Sequence, residues 1–152
     1  MRRTDKQVTD RNEIDEIMNQ AMVCRVAMCD GAIPYVVPLS FGYMDDFLYI
    51  HAACEGKKLD ILKRNPSVAF EVDIDTQLIT KEDLCECSFR YQSVVGEGTA
   101  VFLDSVEQKR KGLECIISHY TSRKATLSDT ALGKVVVVRV DISSITGKKS
   151  GY

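Results

Sequence analysis

Residues 88–103 read SFRYQSVVGEGTAVFL and have the β-branched and aromatic composition of a strand. Strands usually contain about five or six residues, so this segment is long for one strand. Gly96 and Gly98 lie within it, and an interior glycine often marks a bulge or a sharp bend. We therefore predict a long strand that bends near these glycines and lets its sheet curl toward closure.

Five further segments are predicted as strands, and most are separated by short turns. Asp30-Gly31 supplies residues that adopt positive φ, so a hairpin is predicted there, and Asp45-Asp46 marks a second turn. The predicted strands besides 88–103 are 23–28, 35–41, 47–51, 68–73 and 134–142. The pattern favours a mainly β fold of about six antiparallel strands, closed into a small barrel, over the βαβ alternation of a Rossmann fold.

Three helices are predicted to flank the sheet. Capping-box signatures at 10–13 and 105–108 open the first and third helices, and the second runs over 56–64 until Asn65-Pro66 ends it. The apolar positions at helical spacing are Ile14, Ile17, Met18 and Ala21 in the first helix, Leu59 and Leu62 in the second, and Leu113, Ile116, Ile117 and Tyr120 in the third. Residues 74–86 are polar and are predicted as the longest loop.

The length of 152 residues predicts a single domain, 1–152, with a core at about 8–142 and a flexible tail at about 146–152 whose lysines could instead cover a partner subunit. A net charge of −2 lacks the basic excess of nucleic-acid-binding proteins, so no nucleic-acid partner is expected. No apolar run reaches the roughly 20 residues that span a bilayer, and the start MRRTDK is not followed by an apolar signal core. We expect a cytoplasmic protein without a membrane partner.

Six cysteines are spread through the chain, and a chain of this size needs no disulfide staple, so free thiols are expected. A metal site would draw on Cys85-x-Cys87, His51, Cys54 and His119. Their spacing matches neither paired CxxC motifs nor CxxC followed by HxxxH, so we expect no metal.

The segment 49–62 carries the strongest functional signal. It passes from a strand through the small residues Ala52 and Ala53 into a helix that opens on Lys57 and Lys58. The first turn of a helix has unpaired N–H groups and the positive end of the helix dipole, and two lysines add charge there. This favours a phosphate ligand, although the segment matches no Gly-rich phosphate loop and lysines at a helix start are also common on solvated surfaces.

Three segments together resemble a known family. They are PYVVPLSFGY at 34–43, the segment from His51 to Asn65-Pro66, and FRYQSVVGEG at 89–98. In this order they are similar to the pyridoxamine 5′-phosphate oxidase-like flavoproteins, in the branch related to 5-nitroimidazole-resistance nitroreductases. The resemblance covers about 8–142. It implies a split β-barrel that binds flavin mononucleotide (FMN) in grooves at the interface of a homodimer.

The resemblance also implies which residues contact the cofactor. From the isoalloxazine ring to the phosphate these are Val37, Pro38, Leu39, Ser40, His51, Ala52, Ala53, Lys57, Lys58, Arg90 and Ser93. By the same resemblance, His51 lies at the active site as a catalytic residue. Gln92 stands where many relatives have an arginine, which departs from the family pattern. Pro38 independently marks an edge or interrupted strand position, because proline cannot donate to a sheet ladder.

With FMN bound, the resemblance implies a reductase that is driven by NAD(P)H and acts on small nitroaromatic or quinone-like substrates. Few acids, bases or nucleophiles converge in the sequence, so a non-catalytic flavin-binding protein for storage, sensing or delivery is the alternative. Some split-barrel relatives bind haem, and His51 or His119 could then serve as an axial ligand.

Overall fold

The computed structural model describes residues 4–124 and 126–152 and contains eight strands in one antiparallel sheet. The strands are β1 Gln7–Val8, β2 Cys24–Asp30, β3 Ile33–Leu39, β4 Phe41–Met44, β5 Phe47–Ala52, β6 Ser67–Ile79, β7 Ser88–Leu103 and β8 Val136–Ser150. The α-helices are α1 Arg11–Gln20, α2 Lys57–Arg64, α3 Val106–Tyr120 and α4 Asp129–Leu132. Over these residues, none of the helices has the length and hydropathy to cross a bilayer. Met1-Arg2-Arg3, part of the segment considered above as a signal, lies outside the described residues.

The strand order β3-β2-β6-β7-β8-β5-β4 confirms a mainly β fold with antiparallel pairing and flanking helices. The sheet has eight strands among the described residues, two more than the six or so predicted from the sequence. Full closure was also predicted, but β3 and β4 are joined through Ser40 without pairing to each other, so the sheet stays open between them. This arrangement is a split rather than a closed barrel.

Two apolar clusters lie on opposite faces of the sheet. The larger one takes Val26 from β2, near one end of the strand order, and Phe41 from β4, at the other end, and it includes the buried faces of α1 and α2. The sheet must therefore wrap around this core. The smaller cluster packs α3 against the outer face, where Tyr49 and Val137 alternate with neighbours that point into the main core.

The bend predicted within residues 88–103 is confirmed as a β-bulge. The β7–β8 register shifts between Glu97 and Gly98, where Ser143 is the extra residue and its hydroxyl donates to the Glu97 carbonyl. Gly96 has a different role, because a Cβ atom at this position would lie 2.2 Å from the ring of Phe70. The absence of a side chain at Gly96 lets that ring fill the barrel interior.

Both predicted turns are confirmed by the backbone. Gly31 connects β2 to β3 with φ of 62°, and Asp45 and Asp46 connect β4 to β5 with φ of 54° and 64°. The second helix also matches its prediction, since Leu59 and Leu62 are buried and Asn65 ends it in an extended conformation.

Two segments predicted as irregular are strands. Residues 74–79, expected in the long loop, continue β6, and Asp75 absorbs a register shift with φ of 56°. The prediction of a flexible tail is wrong over 146–150, because these residues form the end of β8. The backbone of this stretch is hydrogen-bonded to its neighbouring strand, and such bonds do not depend on the polarity of the side chains. Ser150, for example, lies opposite Tyr91 of β7.

Candidate functional site

The phosphate segment predicted from the sequence lies in an open depression of about 240 Å³ at the junction of β3, β5 and α2. Its lining residues are Tyr35, Ala52, Ala53, Glu55, Gly56, Lys57, Lys58 and Leu59. Four of the predicted contacts, the two alanines and the two lysines, are therefore brought together. The depression is smaller than the roughly 300–1,000 Å³ of typical ligand pockets.

The start of α2 leaves backbone donors free. Gly56 precedes the helix without any side-chain cap, and its carbonyl accepts from the N–H groups of Leu59 and Asp60 at 2.9 and 3.2 Å. In the described part of the chain, nothing accepts from the N–H groups of Lys57 and Lys58. These two donors, at the positive end of the helix dipole, suit an anion.

The conformation of Gly56 shapes this start. Its φ of 140° and ψ of 160° fall in a region that is essentially restricted to glycine. A Cβ atom here would meet no heavy atom within 4 Å, so the restriction comes from the backbone and not from crowding. The chain can therefore turn from β5 into α2 while its backbone stays open to the depression.

The two lysines have different surroundings. The Lys57 ammonium lies 4.8 Å from the centroid of the Tyr35 ring, and its side chain is exposed. Lys58 is half-buried, and this burial lowers the pKa of its ammonium from the ordinary value of 10.5. Glu55 also lines the depression but forms no ion pair with either lysine among the described residues.

A flavin phosphate fits these groups. Two ammonium groups and two free N–H groups are donors that phosphate oxygens accept from. The small side chains of Ala52 and Ala53 leave the end of β5 open to a ligand chain. The carboxylate of Glu55 is the one group in the lining that opposes an anion.

The predicted ring-contacting segment 37–40 covers the end of β3 and Ser40, next to this depression in the chain but not in its lining. Among the described residues β3 pairs only with β2, so the edge position predicted from Pro38 is confirmed. Val37 and Leu39 pack against the main core, whereas Pro38 and Ser40 are exposed. The outer edge of β3 is therefore available to a ligand or to a second chain.

The two histidines occupy different environments. His51 lies in β5 opposite Val137, is exposed, and has no hydrogen-bond or ion-pair partner among the described residues. His119 is held, because its Nε2 atom lies 2.7 Å from the Ala21 carbonyl oxygen and its ring packs on Phe41. The Tyr120 hydroxyl accepts from the Phe41 N–H and donates to the Met22 carbonyl, so the His-Tyr pair joins α3 to β4 and to the start of β2.

Arg90 and Ser93 are not brought to the lysines within one chain. Val36, the neighbour of Tyr35, pairs with Ala27, and the same row of the sheet continues to Ala69 and Glu97. Ser93 and Arg90 lie four and seven residues from Glu97 along β7, or roughly 13 and 23 Å. The Arg90 guanidinium instead lies 4.2 Å from the centroid of the Tyr152 ring.

All six cysteines are free in the structure. Burial raises the pKa of the Cys24 thiol to about 12 and that of the Cys115 thiol to about 11, so neither is a ready nucleophile. The described residues hold no group of three or more metal-ligating side chains.

The lining includes Tyr35 and Gly56, which the sequence did not single out as site residues. Gly56 stands directly before the two lysines, so its position was a usable signal. Tyr35 lies more than twenty residues away on another strand, and only the packing of β3 beside α2 brings its ring to Lys57.

A family comparison identifies this architecture. The model of the pyridoxamine 5′-phosphate oxidase family matches residues 10–149, and the chain belongs to that family. This confirms the family that the three sequence segments resembled.

Solved structures agree with that assignment. A Bacteroides thetaiotaomicron protein provisionally described as a 5-nitroimidazole antibiotic resistance protein is 36% identical, with a TM-score of 0.85 over 93% of this chain and 85% of the other. A flavocytochrome from Azotobacter vinelandii shares the fold at 16% identity and a TM-score of 0.86, over 100% of this chain and 72% of the other. An FAD-binding protein from Mesorhizobium loti shares the fold at 23% identity and a TM-score of 0.72, over 96% of this chain and 98% of the other. Comparison with curated proteins gives no match.

Proposed function

We propose that this chain binds FMN with its phosphate at the start of α2 and acts as an oxidoreductase. In this proposal a reduced nicotinamide supplies electrons, and a small nitroaromatic or quinone-like compound accepts them. The observation that carries the proposal is the uncapped start of α2, where two free N–H groups and two lysines face a depression beside small residues. The 36% identity to the Bacteroides protein supports the choice of acceptor.

The chain's own residues would bind and orient the cofactor. FMN, when bound, supplies the hydride and electron transfer. Lys57 and Lys58 would balance the phosphate charge, and the backbone N–H groups of the same residues would fix its position. The exposed edge of β3, including Pro38, would face the flavin ring, and His51 would approach it from β5 as the catalytic residue.

A homodimer with FMN at the interface completes the proposal. The depression in one chain is smaller than typical ligand pockets, which supports a site finished by a second chain. Arg90 and Ser93, which lie far from the lysines of their own chain, would then reach the cofactor from the second copy. We place the activity in the cytoplasm, where reduced nicotinamides are supplied and thiols stay reduced.

A second candidate is a flavin-binding protein without catalytic turnover. It is favoured by the state of His51, which no neighbouring group among the described residues holds or polarises. The titratable groups around the depression are Tyr35, Glu55, Lys57 and Lys58, and no hydrogen bond or ion pair among the described residues joins two of them as an acid–base pair. Haem binding through His119 has no such support, since its Nε2 atom is already engaged by the Ala21 carbonyl.

Absorbance of the purified protein and titration with FMN test the binding proposal, and steady-state reduction of a nitroaromatic by NADPH or NADH tests the activity. We expect yellow-flavin absorbance and multiple turnovers. Binding without turnover would select the second candidate, and a protein that ignores FMN would overturn both. Lys63→Ala is the matched control for the two lysines, because Lys63 is exposed in the last turn of the same helix.

A further inference from the structure

Tyr35 connects the edge strand to the start of α2. The ring is partly buried against the main core, and its strand is fixed by pairing with Met28 of β2. Lys57, in contrast, is an exposed side chain with a long flexible stem. The ammonium of Lys57 lies 4.8 Å from the ring centroid, within the roughly 6 Å over which a cation and an aromatic face attract.

The partner of Lys57 is a ring and not a carboxylate, and this difference matters electrostatically. A carboxylate would neutralise the ammonium and compete with an incoming anion. An aromatic ring is uncharged, so it restrains the ammonium and leaves its full positive charge available. Although Glu55 lines the same depression, the described residues show no ion pair between it and Lys57.

We infer that Tyr35 is a positioning residue that holds the Lys57 ammonium for the phosphate of the cofactor and thereby sets a preference for phosphorylated over unphosphorylated flavin. This inference rests on the proposed function, because it needs FMN to bind at the start of α2. It assigns to Tyr35 no contact with the reacting atoms.

Lys58 provides the contrast within the same site. It is half-buried, so packing already limits its movement, and no aromatic ring lies against its ammonium among the described residues. Replacement of Tyr35 should therefore act through Lys57 alone. The effect of Tyr35 should disappear when Lys57 is absent and persist when Lys58 is absent.

The test measures the dissociation constants of FMN and riboflavin from the quenching of flavin fluorescence. The variants are Tyr35→Leu, Tyr35→Phe, Lys57→Ala, Lys58→Ala and the two double variants that combine Tyr35→Leu with either lysine change. Tyr35→Leu should raise the dissociation constant of FMN about two- to fivefold and leave that of riboflavin unchanged. Tyr35→Phe keeps the ring and should match the wild type. Tyr35→Leu should add nothing to Lys57→Ala but should retain its effect in the Lys58→Ala background.

Equal weakening of FMN and riboflavin by Tyr35→Leu, or no weakening of either, would overturn the inference. If Tyr35→Leu does not fold, a fluorinated phenylalanine at position 35 keeps the ring shape and removes the attraction of the ring for cations. This variant must then weaken the binding of FMN and leave the binding of riboflavin unchanged. Failure of the proposed function gives a different result, since the wild-type protein would then bind neither flavin.

Discussion

The helices α1 and α3 begin with a side-chain cap, whereas α2 begins without one. Asp10 accepts from the Asn12 N–H at 3.0 Å, and Ser105 accepts from the Gln108 N–H at 3.2 Å. At the start of α2, Gly56 offers no side chain, and two lysines follow where acidic residues would be electrostatically favoured. Each start leaves two N–H groups without an acceptor among the described residues. The difference teaches that α2 is distinguished by its lysines and by its lack of a capping side chain, which together suit an anionic ligand.

Removal of both lysines at the start of α2 should produce the largest effect. The double variant Lys57→Ala/Lys58→Ala should weaken FMN binding by at least roughly 100-fold, because two charged hydrogen bonds are lost and each contributes about 1.5–3 kcal/mol. Riboflavin, which lacks the phosphate, should bind about as well as to the wild type. Fluorescence titration measures both constants, and Lys63→Ala should leave both unchanged. Equal losses for the two flavins would place the phosphate elsewhere.

Replacement of Gly56 should destabilise the fold through backbone strain alone. Gly56→Ala should lower the free energy of unfolding by about 1–3 kcal/mol, since alanine rarely adopts φ of 140° although space for its Cβ is available. Gly133→Ala is the matched control, because Gly133 ends α4 with φ of −68° and ψ of −18°. The control should be stabilised by about 0.4–1 kcal/mol. Urea unfolding measures both, and changes of the same sign would contradict this account of Gly56.

Loss of the cap on α3 should affect stability and not binding. Ser105→Ala removes the acceptor for the Gln108 N–H and should lower the free energy of unfolding by about 1 kcal/mol. The FMN dissociation constant should stay at the wild-type value, because α3 packs on the outer face of the sheet through a separate cluster. Weaker FMN binding at full folding would show that the two helix starts are coupled.

The smallest expected effect is on the alkaline side of the pH range. Burial lowers the pKa of Lys58 below 10.5, so in the free protein this ammonium loses its proton before an exposed lysine does. Phosphate binding needs the charged form, and FMN affinity should therefore fall, by less than tenfold, as pH rises through that lowered pKa. Lys58→Ala should remove this part of the pH dependence. Riboflavin corrects for ionisation of the flavin ring, and an identical profile in Lys58→Ala would contradict the assignment.

The sequence predicted those parts of the fold that depend on local chemistry. Asp30-Gly31 and Asp45-Asp46 form their turns, Asp10 and Ser105 cap α1 and α3, and Gly98 lies at the bulge between β7 and β8. The ends of β6 and β8 were missed, because their polar residues gain regularity from pairing with β7 and not from an apolar pattern.

The candidate site, like the fold, could be predicted from the sequence only where its residues are close together in the chain. The lysines and small residues lie within one short segment, so the sequence located them directly. Tyr35 is brought to Lys57 by tertiary packing, and no local spacing records that contact. Arg90 and Ser93 came from family resemblance, and one chain places them well away from the lysines.

The most direct test of the central claim is a set of backbone amide NMR shifts recorded while FMN is titrated into the flavin-free protein. The amide signals of Gly56, Lys57 and Lys58 should move downfield with FMN and with inorganic phosphate, and much less with riboflavin. The amides of Val106 and Glu107 at the capped start of α3 should not move. Unchanged signals at the start of α2 with saturating FMN, or equal shifts at both helix starts, would contradict the claim that the uncapped start of α2 is the phosphate site.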